Sequence, residues 1–245
     1  VNYKVCRDVM CPANKDADEP GAKFVGGKER AVVTPDSFKT VYKTVMDAEL
    51  GPQFGYRGEG KIPLCWYAPI LEMQSAASPS IVMFWCLTQG AITVLQEFGT
   101  QKQQDLFIPK LRTGEWGGTM GLTEPGAGSE VGAVQSKAFP TDTPGKYKLT
   151  GTKCFISSGD HDLCENIIHL MLAKTPGAKE GTAGISLFIV PKFWVNDDGS
   201  LGAWNDVTTM GIEHKLGIHG STTATLSMGE NDNCYGWMVG EAEVK

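Results

Sequence analysis

Residues 120–130 of this chain read MGLTEPGAGSE, and this run of small, hydroxyl and acidic residues guides the interpretation of the whole sequence. A β-prone stretch leads into it, so we expect the run to form the turn at a strand end. Glycine has no side chain, so backbone N–H groups there can approach a phosphate or a planar cofactor closely. Taken alone, an ordinary glycine-rich turn is the simpler interpretation, and a cofactor site is only suggested.

Three well-known motifs of glycine and serine do not fit this run. A dinucleotide-binding fingerprint needs Gly-x-Gly-x-x-Gly, whereas Gly126, Gly128 and Gly132 have the wrong third spacing and Pro125 intrudes. A nucleophile elbow needs Gly-x-Ser-x-Gly, but Gly128 directly precedes Ser129. A P-loop needs Gly-Lys followed by Ser or Thr, which the run lacks.

The composition of the chain excludes several function classes. Its 245 residues, 41% hydrophobic and 20% charged, can form one large or two modest domains with a real core. A formal charge of -6 and a pI near 5.3 argue against a nucleic-acid partner. The longest apolar stretch, residues 81–87, is too short to cross a bilayer, and no signal-peptide pattern is visible. We therefore expect no membrane span.

The cysteines indicate the redox environment. Seven cysteines, an odd number at irregular spacings, do not form a secreted disulfide framework, so we expect reduced thiols in an intracellular protein. The chain begins with Val, so we expect that the true start, with any address signal, is missing.

The sequence predicts an α+β fold in three segments. Residues 1–33 are polar and rich in glycine and charge and predict an extended arm or loop; residues 34–114 predict a partial helical domain, and residues 115–245 a β domain. Thr34 with Pro35 predicts the start of the first helix, and Thr100 with Gln103 predicts a capping box.

The elements inside these segments follow from apolar spacing and turn residues. Helices are expected around residues 38–45, 67–74 and 81–98, with a glycine-rich loop from Gly51 that includes Gly58 and Gly60. Short alternating runs predict eight strands, at residues 119–123, 134–139, 146–157, 167–173, 185–190, 207–213, 224–228 and 235–239.

Two further runs gain meaning from their order after the first. Residues 151–159 read GTKCFISSG, and residues 215–223 read KLGIHGSTT. Together the three runs resemble the acyl-CoA dehydrogenase family, whose middle domain has Thr-Glu-Pro-x-Ala-Gly-Ser-Asp-like, Lys-x-(Trp/Phe)-Ile-(Thr/Ser) and Lys-x-Gly-x-x-x-Ser-x-Thr segments. Residues 96–117, QEFGTQKQQDLFIPKLRTGEWG, resemble the family's entry into that domain, and residues 157–193 most resemble the long subfamily that includes 3-methylmercaptopropionyl-CoA dehydrogenase.

This resemblance implies a fold and a reaction. The middle domain would be a β-barrel, and the reaction would be FAD-dependent dehydrogenation of an acyl-CoA thioester: a base removes the α-proton while the β-hydride passes to N5 of FAD. Leu122 and Thr123 would hydrogen-bond the flavin, Phe155 would cover its rings, and Ser157 would bond near N5. The residues that the resemblance makes cofactor-binding are Met120, Leu122, Thr123, Gly128, Ser129, Phe155, Ile156 and Ser157, and Ser129 would also contact the acyl-CoA.

The chain departs from the family pattern at four of these positions or beside them. Phe155 and Ser157 stand where Trp and Thr are frequent, which keeps an aromatic wall and a hydroxyl. His219 stands where many members have Arg, and Glu130 where many have Asp. No residue of this chain is expected to be the catalytic base.

The resemblance also implies partners and leaves two hypotheses open. In the family the catalytic glutamate lies in a carboxy-terminal helical domain, which we expect to be absent from this chain. The chain is then either part of a working dehydrogenase or a shortened, non-catalytic structural subunit of a larger assembly, mitochondrial in a eukaryote. The implied partners are acyl-CoA, electron-transfer flavoprotein as oxidant, and further copies in a homo-oligomer or larger complex. The resemblance also implies an intracellular location, on the mitochondrial matrix side in a eukaryote and otherwise in the cytoplasm.

Other candidate clusters have simpler explanations. Asp160, His161, Asp162, Glu165 and His169 resemble a set of metal ligands, but they mix a loop with a strand, so a surface loop is expected. His214, beside Glu213 and Lys215, is expected at a solvated strand end. Cys154 either faces the flavin or packs inside its apolar strand, and packing is the default expectation.

Overall fold

Helices form the first half of the chain and strands the second, which confirms the α+β class. The computed structural model describes residues 1–28, 31–55 and 63–240. Its helices are α1 (Asn2–Val5), α2 (Cys11–Asp18), α3 (Asp36–Asp47), α4 (Leu64–Ala77), α5 (Pro79–Phe98) and α6 (Gln101–Thr113). A π-helical turn (Cys6–Met10) joins α1 to α2, and short 3-10 turns lie at Pro52–Gly55, Val131–Ala133 and Gly181–Gly184.

The amino-terminal segment is not an extended arm, so that prediction is wrong. Helical structure runs from Asn2 to Asp18, and only two short strands, β1 (Lys23–Phe24) and β2 (Val32–Val33), are extended and paired. Apolar side chains recur along one side of this helical stretch and are buried together with residues of α3 and α5; they are Val5, Cys6, Met10, Ala13 and Ala17. Burial of this stripe outweighs the polar composition that suggested a loop.

Two of the predicted helix starts have different outcomes. The capping box of α6 is confirmed, with Thr100 accepting from the Gln103 N–H and Gln103 accepting from the Thr100 N–H. Thr34 does not cap α3, because its hydroxyl and N–H both bond the Asp162 carboxylate, at 2.6 and 3.0 Å. Gly99 ends α5, as predicted. Gly58 and Gly60 lie outside the described residues.

Helix α5 is a longer apolar element than residues 81–87, which the sequence analysis gave as the longest apolar stretch. It has 20 residues and a mean hydropathy of 1.3 over its most apolar window, so by length and composition it is long enough to cross a membrane. Ile81, Phe84, Trp85 and Leu95 on this helix are all buried inside the protein. The apolar composition of α5 therefore serves the packing of a core helix.

The strands of the second half agree closely with the predicted set. They are β3 (Trp116–Gly121), β4 (Lys137–Pro140), β5 (Lys146–Ser157), β6 (Asn166–Lys174), β7 (Ile185–Pro191), β8 (Phe193–Val195), β9 (Leu201–Trp204), β10 (Val207–Ile212), β11 (Thr223–Met228) and β12 (Tyr235–Met238). The pair β8 and β9, which forms a separate two-stranded sheet, was not predicted. Strand β5 has the predicted bounds.

Five strands close into a ring, which makes the sheet a barrel. Strand β4 pairs antiparallel with β5, with Lys137 opposite Thr150, and parallel with β6, with Lys137 opposite Lys174. Strands β6, β7, β12 and β5 then pair in sequence and complete the ring. Strand β3 pairs with β6, while β11 pairs with the second half of β5 and carries β10. The carboxyl-terminal half of β5 therefore extends past the ring.

The helices cover one side of this barrel. Helices α5 and α6 bury a shared cluster against β3 and β6 that includes Leu95, Phe107, Trp116 and Ile168. The strands of the barrel bury a second apolar cluster between them, around Phe188. The two clusters fix the positions of the ends of β3 and β5.

Candidate functional site

The run that follows β3 forms a tight turn with an open tip. Glu124 and Ala127 exchange two backbone hydrogen bonds, of 3.0 and 3.1 Å, across Pro125 and Gly126. Gly128 is exposed, and a Cβ atom at that position would meet no atom within 4 Å. This glycine therefore leaves open space beside the main chain, where another molecule can approach.

A bulge in β5 turns one aromatic side chain outward. Ala224 pairs with Ile156 and Leu226 with Lys153, so β5 has one more residue than β11 over this interval. Phe155 lies in the bulge with φ of 59° and is 62% exposed. A bulky residue in this left-handed conformation is strained, and bulges of this kind re-aim side chains near functional sites.

The neighbours of Phe155 divide between the surface and the core. Ser157 is half-buried, and Cys154 is half-buried rather than packed inside the strand as expected. Ile156 is 2% exposed and belongs to the barrel core, so its side chain does not line the surface; strand alternation places it on the inner face. Met120 packs against the helix-side cluster of α5 and α6.

The two predicted segments lie side by side. The Cys154 N–H donates to the Thr123 carbonyl at 2.8 Å, which joins the end of β3 directly to the bulge. Leu122 and Thr123 are half-buried, whereas Ser129 is exposed. Hydroxyl groups, open backbone and an exposed aromatic ring therefore meet at one edge of the barrel, and they suit a planar, polar ligand such as a flavin.

The third run adjoins the end of β5. Thr223 pairs with Ser157, and the Ser158 N–H donates to the Thr222 carbonyl at 2.6 Å. The Lys215 ammonium inside this run donates to two main-chain carbonyls, one of them the Ser221 carbonyl at 2.9 Å. The order of the three runs along the sequence therefore becomes proximity in the fold.

His219 contacts the end of α2 and its own run. Its Nδ1 lies 2.9 Å from the Asp18 carboxylate, and its Nε2 lies 2.7 Å from the Lys215 carbonyl. The ring borders a cleft of about 440 Å³ between the end of α2 and the loop after β10. His214 also borders this cleft and is exposed.

A buried ion pair beneath the surface was not predicted. The Lys153 ammonium lies 2.7 Å from the Glu124 carboxylate, and both side chains are almost completely buried. Hydrogen bonds from Lys153, Ser136 and Gln135 outweigh the effect of burial, which alone would raise the Glu124 pKa, and so lower that pKa.

The protonation state of this pair follows from its donors. Burial lowers the pKa of Lys153, and the nearby Glu124 carboxylate opposes that shift only in part. We assign the ionised state, because Lys153 donates to three acceptors and only an ammonium group has three N–H bonds. A lysine between apolar residues of a predicted strand was the sequence signal for this pair.

The surface loop expected for the acidic and histidine-rich stretch after β5 is wrong for most of its members. Asp160, His161 and His169 are buried and Asp162 is half-buried, whereas Glu165 is exposed. Asp160 forms an ion pair with Lys192 and accepts from the Thr209 hydroxyl at 2.8 Å. His161 and His169 are 4% and 0% exposed. Charged partners far away in the sequence stabilise this stretch, and a local pattern cannot reveal them. Among the residues that the structure describes, no group of three or more candidate ligands could hold a metal ion.

Comparisons with known proteins agree with this architecture. The family model described as "Acyl-CoA dehydrogenase, middle domain" matches residues 119–230. A butyryl-CoA dehydrogenase of Syntrophomonas wolfei is 70% identical over the whole chain, and a 3-methylmercaptopropionyl-CoA dehydrogenase of Ruegeria pomeroyi is 39% identical over 97% of it. A solved acyl-CoA dehydrogenase complexed with FAD, from Bacillus anthracis, superimposes with a TM-score of 0.72 at 22% identity; the match covers 98% of this chain and 36% of that one.

The matches also show how much of each relative's length this chain covers. The chain spans about 40% of the length of the two curated relatives. The family model covers most of the strand domain, and the solved structure covers both the helices and the strands of this chain. By sequence and by fold, the chain belongs to the acyl-CoA dehydrogenase family.

Proposed function

We propose that this chain supplies the flavin-facing surface, and part of the substrate-facing surface, of an FAD-dependent acyl-CoA dehydrogenase. The observation that carries the proposal is Phe155, an exposed aromatic ring held in a strained conformation beside Thr123 and Ser157. Strain of this kind persists where the surrounding structure and a function require it. The family assignment supplies the identity of the ligand.

The residues at this edge have distinct proposed roles. Leu122 and Thr123 would hydrogen-bond the flavin, Phe155 would cover one face of its rings, and Ser157 would donate a hydrogen bond to it. Ser129 is exposed at the open turn, so it can contact an acyl-CoA that enters from solvent. Bound FAD would supply hydride acceptance, and the protein would supply alignment of the reacting carbon atoms.

Substrate, oxidant and assembly are part of the same proposal. The name of the relative at 70% identity makes butyryl-CoA the first substrate to test. We propose that electron-transfer flavoprotein reoxidises the flavin, that further copies complete an oligomer, and that the protein acts inside the cell. The catalytic carboxylate is proposed to come from outside the residues of this chain, as the family resemblance implies.

The visible absorption spectrum of the native protein, with and without butyryl-CoA, tests this function. A flavin band that bleaches on addition of butyryl-CoA is the expected result. A folded protein with no flavin band would overturn the proposal and favour the alternative of a non-catalytic structural subunit.

A matched pair of variants locates the flavin. Phe155→Ala should lower FAD affinity by about tenfold, because stacking on an exposed aromatic ring contributes on the order of 1 kcal/mol. Phe139→Ala, which removes another exposed phenylalanine of the barrel on β4, should leave FAD affinity unchanged. Equal affinities in the two variants would contradict the proposed location.

A further inference from the structure

The buried pair of Lys153 and Glu124 joins the segments that carry the proposed flavin surface. The Lys153 ammonium donates to the Leu122 carbonyl at 3.2 Å, to the Leu172 carbonyl at 2.6 Å and to the Glu124 carboxylate. Its side chain is 0% exposed. All its N–H groups are used inside the protein, so none is left for a ligand.

The carboxylate of Glu124 organises the other side of the turn. It accepts the backbone N–H groups of Gln135 and Ser136, at 2.5 and 3.1 Å, which lead into β4. Charged hydrogen bonds of this kind are roughly twice as strong as neutral ones. One ion pair therefore holds the end of β3, the middle of β5, β6 and the entry to β4 in a single arrangement.

The segments held in this way are those proposed to contact the flavin. Leu122 and Thr123 immediately precede Glu124, and Phe155 lies two residues after Lys153. Among the described residues, the hydrogen bond from the Cys154 N–H to the Thr123 carbonyl links the two segments directly through the backbone. The Lys153 ammonium adds a second link between them, through its hydrogen bond to the Leu122 carbonyl.

We propose that Lys153 and Glu124 are positioning residues, which set the spacing between the Leu122–Thr123 main chain and Phe155 without touching the cofactor. A buried ion pair is a poor source of stability, because its desolvation cost is comparable to its attraction. Fixing one geometry is the attested alternative role for such a pair. This inference rests on the proposed function for its ligand, but its geometric part can be tested without one.

The test uses a variant that removes both charges together. Lys153→Met alone would leave a buried, unpaired carboxylate, so the principal variant is the double substitution Lys153→Met with Glu124→Gln. The matched control is Lys192→Met with Asp160→Asn, which removes another buried lysine and aspartate pair that contacts neither segment. Unfolding temperatures of the native protein and both variants establish that all three are folded.

Two readouts separate positioning from stability. In the double variant, amide exchange at Thr123, Glu124 and Cys154 should become about tenfold faster, while the control leaves these amides unchanged. FAD binding, followed by flavin fluorescence, should weaken by about tenfold in the double variant only. Flavin absorption should also shift in that variant, because the ring would lie differently against Phe155.

The outcomes distinguish this proposal from the proposed function. Equal amide exchange and equal FAD affinity in the double variant and the control would overturn the positioning role. If the native protein binds no FAD, the proposed function fails, and amide exchange alone decides whether the pair fixes the two segments. If the double variant does not fold, Glu124→Gln is measured in its place, since it retains an acceptor for Lys153, and unchanged exchange there would also overturn the proposal.

Discussion

Acidification should unfold this protein through two buried histidines. His161 and His169 are both inside the structure, and His169 Nδ1 lies 2.8 Å from the Thr119 hydroxyl. Burial, reinforced by the positive charge of Lys192, lowers the pKa of each histidine from 6.5 to about 3. Both rings are therefore neutral in the folded protein at neutral pH.

The sign and size of the effect follow from linkage. Because the folded pKa lies below the unfolded value, acid protonates the unfolded chain first. The stabilisation is fully present above the unfolded pKa of 6.5 and is lost as the pH falls toward the folded value of about 3. At about pH 5 each histidine should cost about 2 kcal/mol, so the two together should cost about 4 kcal/mol relative to pH 7.

Urea unfolding at pH 7 and pH 5, followed by tryptophan fluorescence, measures this loss. His161→Gln and His169→Gln each remove one titrating ring, so each variant should lose about 2 kcal/mol less than the parent between the two pH values. His214→Gln is the control, because it makes the same substitution at an exposed histidine. The reasoning is refuted if the parent and both buried-site variants lose the same free energy.

Three further predictions follow from the packing, the helix cap and the bulge. Gly118→Ala should destabilise the folded protein by about 1–3 kcal/mol, because the new Cβ would lie 2.7 Å from the Ala91 Cβ. Gly90→Ala should stabilise it by about 0.5–1 kcal/mol, because the space around Gly90 is open and alanine favours a helix. The midpoint of urea unfolding measures both changes. Thr100→Ala should cost about 1 kcal/mol in the same assay through loss of the capping box. Phe155→Gly should leave the thermal midpoint unchanged or raise it, since glycine relieves the left-handed strain, yet should weaken FAD binding in a fluorescence titration.

The sequence predicted best those features that depend on residues close together in the chain. The bounds of β5 and the capping box of Thr100 and Gln103 depend on neighbouring residues, and both are confirmed. The helical stretch of α1 and α2 was missed, because its buried stripe becomes favourable only when α3 and α5 cover it.

The candidate site was also predicted only in part. The three motif runs were recognised from sequence, and the fold brings them to one edge of the barrel. The outward turn of Phe155 depends on a register shift against β11, which no single-strand pattern contains. The burial of Asp160 likewise depends on Lys192, which is supplied from beyond β7.

The order in which the barrel closes has a consequence for the protein during its synthesis. Strand β4 begins at residue 137, but the ring lacks β12 until residue 238 has been made. At about 5–20 residues per second, this interval lasts about 5–20 s. Strand β5, which is complete at residue 157, lacks its β12 partner until the end of this interval. The ring beside the surface at Phe155 can therefore close only when nearly all of the described strands have been synthesised.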